Sequence, residues 1–266
     1  MQLNIKSFNN KIVLSLVILI LNSYFLLSIN LPIILLKINL ILFFLVLTYF
    51  FLKHFKYNFP LKLYFLLFLI ICLGSPAINW DFRSIYLFHT KRIFFDSFIY
   101  SVADNYASFS HNDYPLLVPA FSSSFAFLLG YWNEIFPKSA FTFMYLPPLI
   151  FLSSYLGIKK NIIFLSVLIF FIGQQLFNGG TDGIVSLYFI TCSFCFYKIF
   201  FEKKNESIDF IFYILTFLFC ICLTLIKNEG LALLFVIFVT TTLFVLIDKS
   251  FMIHLKKILI LSISFL

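Results

Sequence analysis

The chain is dominated by long apolar segments separated by short polar connections. Ten segments carry at most two charged residues each: 12–28, 33–52, 61–77, 116–129, 140–156, 161–177, 183–201, 210–226, 230–247 and 251–266. A helix of about 20 residues crosses the hydrocarbon core of a bilayer, which is about 30 Å thick. The pattern predicts an all-α integral membrane protein with about 9–10 transmembrane helices, forming one polytopic domain over residues 1–266.

Composition excludes the main soluble classes. Hydrophobic residues make up 62% of the chain and charged residues 11%, whereas a soluble domain carries about 25% charged residues. A cytosolic enzyme, a secreted disulfide scaffold and a nucleic-acid-binding module are therefore excluded. The five cysteines all fall in apolar segments, where a thiol behaves as a small hydrophobe, so we expect them to serve packing: Cys72, Cys192, Cys195, Cys220 and Cys222.

One stretch, residues 78–114, is too polar to cross lipid. It holds four of the eleven acidic residues, namely Asp81, Asp96, Asp104 and Asp113. Its first part mixes apolar and basic residues in a way that suits helices lying in the membrane interface: Phe82, Ile85, Phe88, Ile93 and Phe95 alternate with Arg83, His89, Lys91 and Arg92. Residues 104–113 are then expected to form a polar loop.

Basic residues predict the orientation, because they collect on the cytoplasmic side. A cytoplasmic N-terminus followed by three spans within 12–77 places 78–114 outside as one large external loop, with the remaining spans in 115–266. The basic clusters then lie inside: Lys53, Lys56, Lys62, Lys159, Lys160, Lys198, Lys203, Lys204, Lys249, Lys256 and Lys257. The N-terminus is therefore expected on the cytoplasmic side of the membrane.

This orientation needs an odd number of crossings between Tyr114 and Lys159, yet two apolar segments lie there. The first, 116–129, has 14 residues and contains Pro119 and three consecutive serines. At 1.5 Å per residue it reaches only about 21 Å. Either it is re-entrant, or Lys159 and Lys160 violate the rule.

The same orientation puts three further charged residues on the outer face. Asp182 lies in the connection 178–183, and Lys227 and Glu229 lie in the connection 227–230. Charges deep in the membrane cost about 2.5–3.5 kcal/mol, so such residues tend to line a wet cavity. The alternative is that they only mark helix ends.

Four short motifs follow one another along the chain, at 80–81, 111–117, 178–183 and 225–230. Their order resembles that of the GT-C superfamily of polytopic glycosyltransferases, in particular bacterial protein mannosyltransferase-like and lipid A aminoarabinose transferase-like enzymes, whose expected location is the bacterial inner membrane. Trp80-Asp81 is similar to the acidic start of the family's first external loop, and 111–117 (His-Asn-Asp-Tyr-Pro-Leu-Leu) to its Tyr-Pro-Pro-Leu segment. The turns 178–183 (Asn-Gly-Gly-Thr-Asp-Gly) and 225–230 (Leu-Ile-Lys-Asn-Glu-Gly) resemble later family turns. Two features depart from the family: Phe82 follows Asp81 where many relatives have a second acid, and the sequence ends at Leu266, which implies a fragment or a shortened member.

The resemblance implies transfer of a sugar from a polyprenyl-phosphate donor to a lipid, glycan or protein acceptor at the outer membrane face. Such a reaction needs a base and cations for the leaving phosphate. Asp81 is the expected base, while Arg83, Lys91, Arg92 and Lys227 are expected at the donor phosphate. Tyr114, Asp182 and Glu229 are expected to line the donor site. His111 and Asp113 are expected to bind acceptor or a divalent cation, although two ligands do not define a metal site.

Three other functions are compatible with the sequence. An O-antigen polymerase or ligase shares the lipid-linked donor but usually relies on external arginines, and this chain has only two. A transporter of lipid-linked sugars would place its charges at the midplane in broken helices. A non-catalytic membrane partner subunit is the third alternative. Membrane lipids are expected partners in every case.

Overall fold

The computed structural model describes residues 2–53, 55–75, 80–99, 111–156, 158–201 and 210–247, and the regular structure of these residues is helical throughout. The helices are α1 (Gln2–Ser28), α2 (Ile33–Leu52), α3 (Phe55–Gly74), α4 (Leu87–Asp96), α5 (Leu117–Leu129), α6 (Ile135–Ser153), α7 (Ile158–Asn178), α8 (Asp182–Phe201), α9 (Phe210–Ile226) and α10 (Glu229–Ile247). A π-helical turn, Phe82–Tyr86, leads directly into α4.

Five helices of the described residues are long and apolar enough to cross a membrane: Lys6–Ser28 within α1, then α2, α6, α8 and α10. Three shorter apolar helices accompany them: Phe59–Gly74, Leu117–Leu129 and Phe210–Ile226. The chain is therefore an all-α, multi-pass membrane protein. Segment 251–266 and the basic residues Lys203, Lys204, Lys249, Lys256 and Lys257 lie outside the described residues.

The first two helices form a hairpin joined by a buried asparagine. Asn39 on α2 is only 3% exposed. Its amide nitrogen donates to the Leu19 carbonyl at 2.8 Å and to the Ser23 hydroxyl at 2.9 Å, and its oxygen accepts from Asn22 at 2.8 Å. Such bonds hold helices together in lipid, where hydrophobic burial supplies little association energy.

The core of the bundle is α6, whose residues are all buried from Pro137 to Ser153. The Phe143 ring lies at its centre, with ring centroids 5.4–5.9 Å away on three other helices: Phe43, Phe44, Phe65 and Phe125. Offset and edge-to-face aromatic pairs stabilise by about 0.5–1.5 kcal/mol beyond their buried area. The abundant phenylalanine of this sequence thus gives the bundle a shared aromatic centre.

The two ends of the bundle differ in chemistry. At one end, the ring of Tyr155 accepts two cations, with Lys6 at 4.3 Å and Lys198 at 4.8 Å from its centroid. Where α2 ends and α3 begins, buried Lys62 donates to the Phe51 carbonyl in the last turn of α2 at 2.7 Å and to the Lys53 carbonyl just beyond it at 3.0 Å. We call this the basic end. The opposite end, where α7 meets α8 and α9 meets α10, is called the polar end.

Helix α5 begins and ends toward the polar end. Its start follows Tyr114, which lies among the charged residues of the α9–α10 turn. Beyond its end, Trp132 and Phe127 both contact Phe94 of α4. Lys138, in the first turn of α6, then bonds to Ser75 at the end of α3. Among the described residues, α6 then runs from there to the basic end, whereas the residues that flank α5 lie towards the same end of the bundle.

The polar stretch contains the expected helix, with one correction. Residues Phe82, Ile85, Tyr86 and Ile93 face the protein, whereas Arg83 and Lys91 are exposed. His89, which the sequence pattern groups with the exposed basic residues, is fully buried. The reason is that the π turn and α4 lie against α5 and α6, so this segment has a protein-facing side that the alternation of apolar and basic residues does not reveal.

Candidate functional site

Two glycines bring the connections at the polar end close together. Gly179 has a positive φ of 77°, and a Cβ atom there would lie 2.5 Å from the ring of Phe82. Gly230, in the first turn of α10, lies against the Leu223 carbonyl of α9, where a side chain would collide with backbone. The π turn can therefore pack on the α7–α8 connection, and α9 and α10 can form a tight pair.

These contacts gather side chains from four separate stretches into one group. We call it the polar cluster, and its members are Asp81, Tyr86, Asp113, Tyr114, Thr181, Asp182, Lys227, Asn228 and Glu229. The sequence predicts six of these as site residues. Their convergence follows from the folding of the π turn, the segment before α5 and the two helix connections onto the same end of the bundle.

Lys227 is the central cation of the polar cluster. Its ammonium donates to Asp182 Oδ1 at 2.9 Å and lies 3.2 Å from Glu229 Oε1, and its side chain is 16% exposed. Burial acts to lower the pKa of Lys227, but the bond to Asp182 and the nearby Glu229 outweigh it, so the pKa is raised above its ordinary value. Both carboxylates begin helices, α8 and α10, where negative charge is favoured by the helix dipole.

The segment before α5 joins the cluster through Asp113. Asn228 Nδ2 donates to Asp113 Oδ2 at 3.1 Å. His111, which has a positive φ of 55°, stacks its ring on Tyr114 at 5.1 Å and places Nδ1 3.8 Å from Asp113 Oδ1. His111, Asp113 and Tyr114 thus form one compact turn beside the α9–α10 connection.

Two tyrosines lie within this charged group. Burial raises the pKa of Tyr114, and the negative charges of Glu229, Asp113 and Asp81 raise it further, against the opposing effect of Lys227. Tyr86 is 2% exposed, and burial also raises the pKa of its hydroxyl, with Thr181, Lys227 and Asp182 as its polar neighbours. Both phenols therefore stay protonated at neutral pH, when they can donate hydrogen bonds.

The remaining predicted residues lie at the rim or apart. Asp81 is exposed at the start of the π turn, close enough to Tyr114 to influence it electrostatically. Arg83 and Lys91 are exposed on the side of the π turn and α4 opposite the buried Phe82 and Ile93. Arg92 pairs with Asp96 on its own helix at 3.3 Å.

Three members of the cluster have no counterpart in the sequence prediction: Tyr86, Thr181 and Asn228. Thr181 and Asn228 adjoin predicted residues, so the polar connections between the apolar segments could have indicated them as site residues. Tyr86 carried no signal, because its position depends on the π turn. There the Leu87 amide bonds to the Phe82 carbonyl five residues back.

The described residues contain no group of three His, Cys, Asp or Glu side chains placed to hold a metal ion. The five cysteines are buried and free, with Cys192 and Cys220 sulfurs 3.9 Å apart, as expected for packing residues. No protein-family model, curated protein or solved structure matches this chain.

Proposed function

We propose that this protein is a membrane glycosyltransferase that takes a sugar from a polyprenyl-phosphate donor, with the polar cluster as its active site. The observation that carries the proposal is the Lys227 ammonium held between Asp182 and Glu229 at one end of a membrane bundle, with Asp113 bound to the adjacent Asn228. A donor with a lipid tail and a charged head requires polar chemistry at the edge of the bilayer.

Lys227 supplies the cation for the leaving phosphate. An ammonium has three N–H donors. Two are directed at Asp182 and Glu229, which leaves the third for a phosphate oxygen. Both carboxylates hold the ammonium in place and keep it protonated, so its charge is available when negative charge develops on the departing phosphate.

The acceptor hydroxyl needs a base as it attacks the anomeric carbon. Asp81 is at the rim of the cluster and exposed, so an acceptor that arrives from water can reach it. In the proposed reaction the acceptor oxygen forms a bond to the anomeric carbon, the bond from that carbon to the phosphate oxygen breaks, and Asp81 takes the hydroxyl proton. The phosphate departs with the bonding electron pair towards Lys227.

The proposal places the polar end on the outer face of a bacterial inner membrane, with a cytoplasmic N-terminus. Lysines concentrate at the other end, where Lys6, Lys62 and Lys198 all lie. Positive residues near short connections favour the cytoplasm. In this orientation the cluster opens to the compartment in which lipid-linked donors meet their acceptors.

The deciding experiment is a transfer assay with the purified chain in lipid nanodiscs. Radiolabelled polyprenyl-phosphate sugar is supplied with membrane-extract acceptors, and release of polyprenyl phosphate is followed. We expect turnover by the wild type and loss of turnover in Lys227→Gln. Glu134→Gln, which removes an exposed acid that begins α6 outside the polar cluster, is the matched control and should retain activity.

Absence of turnover by the folded wild type across the common lipid-linked sugars would contradict the proposal. It would favour the view that the chain is a non-catalytic membrane subunit, in which the charged residues only stabilise helix ends.

A further inference from the structure

The hydroxyl of Tyr86 is a buried donor that no described residue satisfies. The side chain is 2% exposed, and its oxygen has no hydrogen-bond partner among the described residues. Thr181 is the neighbouring hydroxyl, but the contact between the two hydroxyls lacks the geometry of a hydrogen bond. Leaving a buried hydroxyl unpaired costs about 1–3 kcal/mol, so a retained one calls for an explanation.

Three kinds of hydrogen-bond donor surround this position. Tyr86 and Thr181 offer hydroxyls, and Lys227 offers an ammonium that interacts with Tyr86 electrostatically. Thr181 also immediately precedes α8, a helix of 20 residues, whose first amides lack intrahelical partners. A helix N-terminus of this kind favours an anion.

We propose that Tyr86, Thr181, Lys227 and the start of α8 form a subsite for a phosphate group, with Tyr86 as a donor-binding residue. The inference rests on the proposed function, since it identifies where the phosphate of the lipid-linked donor lies. A phosphate oxygen accepts hydrogen bonds from a phenol, an alcohol and an ammonium at once, whereas a sugar hydroxyl would use its own proton and compete for the carboxylates.

The acids of the cluster fit this assignment. Asp182 and Glu229 neutralise Lys227 while the subsite is empty of phosphate, so the buried ammonium always has a counter-charge. A bound phosphate adds a further anionic partner. The phosphate oxygen uses the third N–H while both carboxylates stay in place, so the buried ammonium is compensated throughout.

The test uses the isosteric variant Tyr86→Phe and a matched control. Tyr188→Phe removes a hydroxyl that is equally buried and unpartnered, but Tyr188 lies beside Cys192 and Cys222 in the bundle core. Without phosphate, both variants should melt at or above the wild-type temperature, because each loses an unpaired hydroxyl.

Ligand binding separates the two variants. Decaprenyl phosphate and inorganic phosphate should each raise the melting temperature of the wild type and of Tyr188→Phe. Tyr86→Phe should bind decaprenyl phosphate about 10- to 100-fold more weakly, the effect of losing one hydrogen bond to a charged group. Thr181→Val should also bind decaprenyl phosphate more weakly than the wild type does.

Several outcomes would overturn the subsite. They are equal binding by wild type and Tyr86→Phe, no response of the wild type to either phosphate compound, and a folding defect confined to Tyr86→Phe, which would show that the hydroxyl has a structural partner. A response to phosphatidylglycerol that equals the response to decaprenyl phosphate would assign the position to a membrane phospholipid. Tyr86-dependent phosphate binding without sugar transfer would support the subsite and contradict the transferase.

Discussion

Asn228 and Asp113 are 115 positions apart in the chain, yet Asn228 Nδ2 donates a 3.1 Å hydrogen bond to Asp113 Oδ2. The bond joins the α9–α10 turn to the segment that precedes α5. Two segments that are synthesised at different times therefore contribute to one polar surface. The other members of the polar cluster lie around this contact.

The first prediction concerns topology. Single cysteines at Lys91, exposed on α4, and Lys160, exposed near the start of α7, should react with a membrane-impermeant maleimide from opposite sides. Lys91→Cys should be labelled from the periplasm, and Lys160→Cys should be labelled only after the membrane is permeabilised. The five native cysteines are buried and give a low background. Labelling of both positions from the same side would refute the proposed orientation.

The second prediction concerns the base. Asp81→Asn keeps the size of the side chain and removes the proton acceptor, so the transfer rate should fall by about 10²–10⁴-fold. Expression and thermal stability should not change, because the residue is exposed at the rim. The measurement is initial rate against acceptor concentration, with Glu134→Gln as control. Wild-type rates in Asp81→Asn would remove Asp81 from the mechanism.

The third prediction separates a phosphate ligand from a helix-end anchor at Lys227. Because Lys acts on phosphate as a point charge, Lys227→Arg should keep partial activity and Lys227→Gln should lose most of it. Glu229→Gln should have a milder effect, since Asp182 still holds the ammonium. Transfer rates and melting temperatures are measured for all three. Normal turnover by a folded Lys227→Gln protein would leave Lys227 with an anchoring role only.

The fourth prediction concerns the α1–α2 hairpin. Asn39→Ala removes three hydrogen bonds between the helices and leaves Asn22 and Ser23 without these partners. Stability should fall by about 0.6–2 kcal/mol, the range for polar contacts between membrane helices. Unfolding in increasing SDS measures the change. Leu42→Ala, at a residue 46% exposed on the outside of α2, should have a much smaller effect.

Much of the fold could be predicted from the sequence, because lipid imposes a simple rule. A segment that crosses the membrane must be apolar and helical, so the five long spans coincide with five predicted segments. The packing of the helices against one another does not follow from this rule. The position of α5 depends on its contacts with α4 and α6, and no local pattern records those contacts.

For the site, too, the sequence indicates the residues but not their contacts. Asp182, Lys227 and Glu229 stood out because charges between apolar segments are costly. Their pairing could not be predicted, since it depends on how closely α8, α9 and α10 approach one another. Tyr86 could not be predicted either. In a sequence with 14 tyrosines, only the π turn distinguishes this one.

The shortness of α5 bears on biogenesis. The helix has 13 residues, so it reaches only about 20 Å, and its buried middle carries Ser122, Ser123 and Ser124. We expect this segment not to insert when it leaves the translocon alone, because it is too short and too polar to partition into lipid. A glycosylation reporter flanking the isolated segment measures this directly, and efficient insertion would contradict it. If α5 waits for α6 in this way, the segment before α5, with Asp113 and Tyr114, takes its place only after α6 has been inserted, and the polar cluster is completed when the α9–α10 turn follows.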